Sequence, residues 1–254
     1  MPTYKTLGIV IRRRNINEAD RMLTILTEEQ GKVTVVAKGV RKTLSRLGGH
    51  LELFNLVNFV LAKGRSMDIV TGAVVERQRG EIAIDLDKVA RASRFAELID
   101  ILVHDKEEHR KLFWLFEDCL NYLDRSKGAN LVDLYFFINT LSYLGYLPEL
   151  YECVKCRERL KEGNIGWSHG QGGVLCGDCL DEGIRTDVES IKLLRLLAEE
   201  EPSVVEQLNL SRELVQNVQE VLSGFVNFLS QRELKCDKFW KSLQVDLRNF
   251  ADLG

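Results

Sequence analysis

Proline, glycine and long apolar runs are scarce in this sequence. The chain of 254 residues contains 3 Pro and 19 Gly, too few for a fibrous or low-complexity protein. Its longest stretches without a charge, residues 53–62 and 134–148, are shorter than the roughly 18–20 apolar residues that span a bilayer. No apolar segment of secretory-signal length precedes the arginines at positions 12–14. We therefore expect a globular, cytoplasmic protein with no membrane contact.

Histidine is also scarce, and common catalytic motifs are missing. The sequence has 4 His and no Walker-type phosphate loop, nucleophile elbow or H-E-x-x-H motif. His104 and His109 enclose a charged segment between two helical patterns, which is typical of a solvated turn. The glycine-rich run from Gly170 to Gly173 precedes no predicted helix. We therefore expect no catalytic residues and a protein that is not an enzyme.

Charge is distributed unevenly along the chain. Residues 1–80 carry 14 Lys or Arg and 7 Asp or Glu, whereas the remaining residues carry 21 Lys or Arg and 31 Asp or Glu. The electric field of a charged region steers its encounters with surfaces of opposite charge. The basic N-terminal part therefore favours a polyanionic partner, and the acidic remainder favours solubility or protein contacts.

Five short β-type patterns occupy the first 75 residues, at positions 7–12, 22–27, 33–37, 51–62 and 69–75. Turn-forming residues separate them, and no long helical pattern lies between them. Five short strands suit a small closed barrel, of which the oligonucleotide/oligosaccharide-binding (OB) type is one form. An SH3-like barrel is the alternative.

After Gly80 the hydrophobic period changes from two to about 3.6, as expected for amphipathic helices. Three apolar stripes begin at Ala92, Leu112 and Leu131, and two more follow possible caps at Thr186 and Ser211. The sequence therefore predicts an α+β protein, with an OB-type barrel domain at residues 1–80 and a helical domain at residues 81–254.

Four cysteines form two C-x-x-C hooks, Cys153 with Cys156 and Cys176 with Cys179. The 19 residues between the hooks lie within the spacing expected for a four-thiolate zinc site. Four thiolates complete a tetrahedron, so we expect one structural Zn²⁺ bound by a segment at residues 153–179, with no open position for catalysis.

Other interpretations of these cysteines are weaker. Disulfides are disfavoured in a reducing compartment, and a thioredoxin-like dithiol should follow a βαβ pattern that this sequence lacks. His169 lies between the hooks, but four thiolates leave it no place as a ligand. Cys119 lies on an apolar helical face and is interpreted as a core residue, and Cys236 has no assigned role.

Basic residues cluster in two short segments of the predicted barrel. The stretch at residues 32–51 contains no acidic residue and includes glycines that let the backbone bend around a phosphate chain. A solvated, flexible loop is the simpler interpretation, but a barrel of a type whose loops bind oligonucleotides favours nucleic-acid binding. The candidate DNA contacts are Arg12, Arg13, Arg14, Lys32, Lys38, Arg41, Lys42, Arg46 and Arg65.

Aromatic side chains that could stack on bases are few in this part of the chain. Residues 1–80 contain only Tyr4, Phe54 and Phe59, and the strand pattern predicts that Phe59 lies in the core. Affinity should therefore come mainly from phosphate neutralisation. We expect weak sequence preference, binding to both single and double strands, and a strong dependence on salt.

Three stretches of the chain together resemble one bacterial family. AKGVRKTLSRLGGHLELFN at residues 37–55, LGYLPELYECVKC at residues 144–156 with the later CGDC, and RELKCDKFW at residues 232–240 resemble the RecO family of DNA recombination and repair proteins. The resemblance spans nearly the whole chain. It implies that Lys38, Arg41, Lys42 and Arg46 belong to a DNA-contacting loop and that the four cysteines bind zinc.

The resemblance also implies a function that composition and spacing do not reveal. It implies a recombination mediator that binds single- and double-stranded DNA, anneals complementary strands and helps to load recombinase onto gaps coated by single-stranded-DNA-binding protein. RecR and single-stranded-DNA-binding protein are the implied partners, and the protein would associate with the nucleoid when bound to DNA. The alternatives to a mediator are a scaffold protein that is stabilised by zinc and binds only proteins, and a metal-dependent nuclease.

Overall fold

A computed structural model describes residues 2–126, 131–161, 163–201 and 208–236. These residues fall into two compact units, one ending at Ser126 and the other following it. Residues 237–240, which end the third stretch of family resemblance, lie outside the described residues, as does the rest of the predicted helical domain to residue 254. Among the helices described, none is both long and apolar enough to cross a membrane.

The first unit begins with a closed five-stranded barrel. Its strands are β1 (Thr3–Asn15), β2 (Arg21–Thr27), β3 (Gly31–Ala37), β4 (Leu56–Ala62) and β5 (Asp68–Arg77). They are ordered β1-β2-β3-β5-β4 around the barrel, and β4 pairs with β1 to close it. All pairs are antiparallel except β3 with β5. The predicted OB-type barrel and the mixed α+β class are confirmed.

Alternating apolar side chains fill the barrel interior. Val10, Leu23, Val35 and Phe59 belong to one buried cluster, to which each strand contributes. Gly8 on β1 is required by close packing, because a Cβ there would lie 2.6 Å from the side chain of Ile25. The strand predicted at residues 51–62 begins later than expected, because Leu51 ends a 3₁₀ turn and residues 53–54 form a further turn before β4.

Three helices follow the barrel in the described residues of the first unit: α1 (Gly80–Ile84), α2 (Leu86–Leu102) and α3 (Arg110–Arg125). Asp85 caps α2 by accepting a hydrogen bond from the backbone N–H of Lys88. Helix α2 packs on β1, which explains why both faces of β1 are buried around Ile9 and Val10. These helices belong to the same compact unit as the barrel, so the unit ends well beyond the change of period at Gly80.

The described residues of the second unit form three helices and a small sheet. Its elements are α4 (Val132–Tyr143), β6 (Ile165–Ser168), β7 (Gly173–Cys176), β8 (Ile184–Thr186), α5 (Val188–Glu199) and α6 (Arg212–Ser230). The strands are ordered β7-β6-β8. Ser211 caps α6 as predicted, but the predicted cap at Thr186 is wrong. Thr186 ends β8, and Asp187 caps α5 instead by accepting from the N–H of Ser190 at 2.7 Å.

Candidate functional site

A basic loop, residues 38–47, projects from one end of the barrel after β3. Val40 near its start and Leu51 just beyond its end are buried in the barrel core, and Leu47 packs against the same core. Between these anchors every residue from 41 to 46 except Ser45 is exposed. The loop is therefore short, and both of its ends are packed against the barrel core.

The basic loop is tied to the β1–β2 turn at residues 16–20. The backbone N–H of Gly39 donates to Asp20 Oδ1 at 2.7 Å, and the N–H of Arg41 donates to the carbonyl of Ala19 at 3.0 Å. The guanidinium of Arg41 donates to the carbonyl of Asn17. Gly39 has a φ of +66°, a backbone conformation that suits glycine. The two turns therefore form one hydrogen-bonded structure.

Asp20 is the acidic residue that organises this structure. The N–H of Gly39 and the side chain of Asn17 hold the pKa of Asp20 below its ordinary value, and the charges of Lys38 and Lys42 act in the same direction. Asp20 is therefore a carboxylate at neutral pH. Sequence analysis did not single out Asp20; the only signal was the turn composition N-E-A-D between two strand patterns.

Arg14 lies on a strand, and Arg65 lies in a turn, adjacent to the basic loop. Arg14 of β1 lies opposite Met22 of β2. The end of β3, where the basic loop begins, pairs with β2 on one side and with the start of β5 on the other. The turn that carries Arg65 immediately precedes β5.

Six of the nine predicted DNA contacts are exposed and, within the part of the chain that the structure describes, have no carboxylate at ion-pair distance. We call this set the cationic surface: Arg14, Lys38, Arg41, Lys42, Arg46 and Arg65. The charge of Asp20 acts on Lys38 and Lys42, but no described carboxylate forms an ion pair with any of the six cations, so they stay available to an external polyanion.

Arg12 and Arg13 are exposed but already paired. The guanidinium of Arg12 lies 3.1 Å from the carboxylate of Asp100 on α2, and Arg13 pairs with Glu52. Binding of either residue to a phosphate would compete with these ion pairs, which in exposed positions are worth about 0–1 kcal/mol. They are therefore weaker candidates than the six cations of the cationic surface.

Lys32 is the one predicted contact that the structure removes from the surface. It is buried, with 7% of its surface exposed. Its ammonium donates to the backbone carbonyl of Asp100 at 2.7 Å and pairs with the carboxylates of Asp100 and Asp105, each at 3.5 Å. The prediction failed because α2 and the segment after it return over this part of β3. Lys32 holds α2 and the following segment against β3, and it cannot reach a phosphate.

The three aromatic residues of the barrel region offer no open stacking platform. Phe54 and Phe59 are buried. Tyr4 is partly buried, its hydroxyl donates to Asp68 at 2.6 Å, and the ammonium of Lys63 lies 4.2 Å from its ring centroid. Burial and the interaction with Asp68 also raise the pKa of Tyr4. The expected shortage of exposed aromatic rings is thus observed.

The second unit brings the four predicted metal ligands together. The sulfur atoms of Cys153, Cys156, Cys176 and Cys179 all lie within 4.8 Å of one another. The Cys156 and Cys176 sulfurs are 3.7 Å apart, close to the roughly 3.8 Å expected between two thiolates bound tetrahedrally at 2.3 Å from zinc. Among the described residues, this is the one group of three or more such side chains placed to hold a metal ion.

The backbone around the first hook also suits bound thiolates. Burial opposes ionisation of Cys153, but N–H groups of Cys156, Cys176 and Lys155 directed at its sulfur lower its pKa to about 6. The pKa of Cys156 is instead raised by burial and by the neighbouring sulfur atoms. The N–H of Arg157 donates to the carbonyl of Cys153 at 2.8 Å, which closes the tight turn. Such turns let two thiolates point at one ion, so the donor set fits a metal such as zinc.

The second hook is positioned by the small sheet. Cys176 ends β7, and a 3₁₀ turn, Gly177–Glu182, carries Cys179. The first hook is joined to the same strand, because the N–H of Val154 donates to the carbonyl of Val174 at 2.9 Å. The sheet therefore brings together two hooks that are distant in sequence.

Neither His169 nor Cys119 is a member of the four-cysteine group. The indole N–H of Trp167 donates to His169 Nδ1 at 2.9 Å, and burial lowers the pKa of His169. A Cβ on Gly224 of α6 would lie 2.4 Å from His169 Nε2, so the ring packs closely on that helix. Cys119 is buried on α3, as its apolar position predicted, and Cys236 is partly buried.

Comparison with known proteins places the chain in a family. The N-terminal family model of recombination protein O matches residues 1–79, and the C-terminal model matches residues 84–237. A DNA repair protein RecO of Dehalococcoides mccartyi is 33% identical over 234 residues, covering 91% of this chain and 92% of that protein. The RecO proteins of Roseiflexus sp. and Desulfitobacterium hafniense are each 33% identical and cover 96% and 94% of this chain.

These matches extend over both predicted domains and nearly the full length of the relatives. The chain belongs to the recombination protein O family, RecO, whose relatives here are named DNA repair proteins. The resemblance inferred from three short stretches is confirmed.

Proposed function

We propose that this protein is a non-catalytic mediator of DNA repair and recombination that binds single- and double-stranded DNA. Residues 1–80 would be the DNA-binding domain, and the cationic surface would be its contact with the sugar-phosphate backbone. The observation that carries this proposal is the absence of carboxylate partners from all six cations of that surface, within the described residues, on a barrel of the OB type.

The binding mode follows from the chemistry of the surface. Six cations, and no open aromatic ring among the described residues 2–80, favour phosphate neutralisation over recognition of bases. With about four to six phosphate contacts, the slope of log affinity against log salt should be near −3 to −5, depending on strandedness. Sequence preference should be weak because phosphates carry no sequence information.

Annealing is the activity that this electrostatic arrangement would assist. Two complementary strands repel each other, and cations that neutralise both lower this repulsion during pairing. Family membership adds the further proposal that the protein helps to load recombinase onto gaps coated by single-stranded-DNA-binding protein. RecR and single-stranded-DNA-binding protein would be its protein partners, and DNA binding would associate it with the nucleoid.

One structural zinc ion is the second part of the proposal. Cys153, Cys156, Cys176 and Cys179 would fill all four positions of a tetrahedral ion, which leaves no position for an activated water. When bound, the ion would fix the turns around the two short strands β6 and β7. The proposed role is stability of the second unit.

A titration with fluorescently labelled single-stranded DNA at two salt concentrations tests the proposal. A mediator binds, and its affinity falls steeply as salt rises, whereas a scaffold that binds only proteins shows no binding. The remaining alternative is a metal-dependent nuclease. Analysis of the same DNA for cleavage products, after incubation with the protein and Mg²⁺, distinguishes a nuclease from a mediator. Intact DNA supports a non-catalytic mediator, and shortened products would indicate a nuclease.

A further inference from the structure

The loops that carry the cationic surface also carry exposed apolar side chains. Leu44 in the basic loop is 94% exposed, the highest value among the large apolar residues described. Ile16 in the β1–β2 turn is 50% exposed, and Met67 in the turn before β5 is 37% exposed. Each of the three turns around this end of the barrel thus presents one large apolar side chain to solvent.

We propose that Leu44 is a base-contacting wedge, which packs on the faces of unstacked nucleobases while the neighbouring cations hold the phosphates. This inference rests on the proposed function and deepens it, because it assigns contact with bases to a surface that otherwise binds only the backbone. Ile16 and Met67 would extend the apolar contact on either side.

The position of Leu44 supports this role. In the sequence it lies between Lys42 and Arg46, both exposed, so a strand held by these cations would pass over the Leu44 side chain. The N–H of Ser45 donates to the carbonyl of Lys42 at 2.9 Å, which folds the tip into a turn. Because Val40 and Leu47 anchor the loop on the barrel core, the tip is displayed in a fixed place.

The chemistry of the ligand follows from the surroundings. An exposed leucine gains by burying its surface, and cations on both sides favour a polyanion over a neutral or basic protein partner. Apolar wedges inserted between base steps are a known means of unstacking nucleic acid. Base faces are accessible in single strands and at strand ends, so the wedge should favour unpaired DNA over intact duplex.

Three variants and a base-specific probe test the wedge. Single-stranded DNA containing 2-aminopurine reports unstacking, because its fluorescence rises when neighbouring bases separate. Leu44→Ser removes the apolar contact, Leu44→Met keeps it, and Ile84→Ser removes an 80% exposed apolar side chain from α1 as a matched control. Thermal unfolding of each variant verifies the fold, which a side chain as exposed as Leu44 should not affect.

The wild-type protein, Leu44→Met and Ile84→Ser should raise the fluorescence at saturation. Leu44→Ser should lose most of this rise and bind single strands about 3- to 10-fold more weakly, with an unchanged salt slope. A full fluorescence rise with Leu44→Ser at saturation would overturn the wedge and leave the proposed function intact, and would point to a protein partner for Leu44. Failure of the wild-type protein to bind DNA would instead refute the proposed function.

Discussion

The backbone N–H of Gly39 donates to the carboxylate of Asp20 at 2.7 Å, and this hydrogen bond joins the basic loop to the β1–β2 turn. A negative charge therefore lies within the surface proposed to bind DNA. Its role is to hold the loop, because its Oδ1 accepts the N–H of a glycine at positive φ. Preorganisation of this kind reduces the entropy lost when a partner binds.

Substitution of Asp20 separates the charge from the hydrogen bond. Asp20→Asn removes the charge but keeps an oxygen that can accept from Gly39, whereas Asp20→Ala removes both. We expect Asp20→Ala to bind single-stranded DNA about three- to tenfold more weakly than Asp20→Asn, because its loop must be ordered on binding. Equal affinities of the two variants, measured by fluorescence anisotropy, would show that the hydrogen bond does not organise the loop.

The same carboxylate predicts a pH dependence. The N–H of Gly39 is the main cause of the lowered pKa of Asp20, with Asn17, Lys38 and Lys42 acting in the same direction. A group whose pKa is lower in the folded protein contributes stability above its unfolded pKa of about 3.9, and this contribution is lost as pH falls through the folded pKa. Acid titration should therefore destabilise the wild-type protein more than Asp20→Asn below about pH 4. Identical acid unfolding curves would contradict this assignment.

Lys32 should behave differently from the other predicted contacts. Lys32→Ala breaks a buried hydrogen bond and two ion pairs, so we expect it to lower the free energy of unfolding by about 1–3 kcal/mol. The folded variant should bind DNA within about twofold of the wild type. Urea denaturation and a DNA titration measure both effects. A large loss of DNA affinity in a stably folded Lys32→Ala variant would instead show that Lys32 contacts DNA.

A buried ion pair joins the barrel to the third helix. Arg79 follows β5 and pairs with Glu117 on α3, and both side chains are 1% exposed. Glu117→Ala leaves the charge of Arg79 buried without its partner, which typically costs about 3–5 kcal/mol of unfolding free energy. Glu76→Ala is a matched control, because Glu76 is an exposed glutamate on β5 that accepts from Asn58 at 2.7 Å. Similar losses in urea denaturation of the two variants would show that the buried pair does not hold α3 to the barrel.

Metal analysis tests the four-cysteine site. Chelation under denaturing conditions should release about one zinc ion per chain, as expected for one four-thiolate site. Cys153→Ser should lose the metal and unfold at lower temperature, whereas Cys236→Ser, a cysteine outside the cluster, should keep it. A wild-type protein that is metal-free and fully folded would contradict the zinc proposal.

The sequence was most informative where the signal is local. Alternation located the barrel strands, and the spacing of Cys153 and Cys156 identified a hook whose sulfur geometry the structure bears out. Local signals were weaker at boundaries. Thr186 had the spacing of a helix cap, but the strand before the helix continues through it and Asp187 takes the role.

Long-range packing is what the sequence could not reveal. Lys32 and Lys38 look alike in the sequence, because each is a lysine next to the strand predicted at residues 33–37, in a segment without acidic residues. Only the return of α2 over β3 distinguishes them, because it places Asp100 beside one and not the other. The same applies to Arg12, whose partner is also Asp100 and is 88 residues away.

The most direct test of the central claim is the salt dependence of single-stranded DNA binding by the wild-type protein and by Lys42→Ala/Arg46→Ala. Both side chains are exposed, so the variant should keep its thermal stability. For single-stranded DNA we predict a wild-type log–log slope near −3 to −4, and a slope less steep by about 1.4 in the variant, since each lost phosphate contact on a single strand contributes about 0.7. A slope that is unchanged in a folded variant, or a wild-type affinity independent of salt, would contradict binding through the cationic surface.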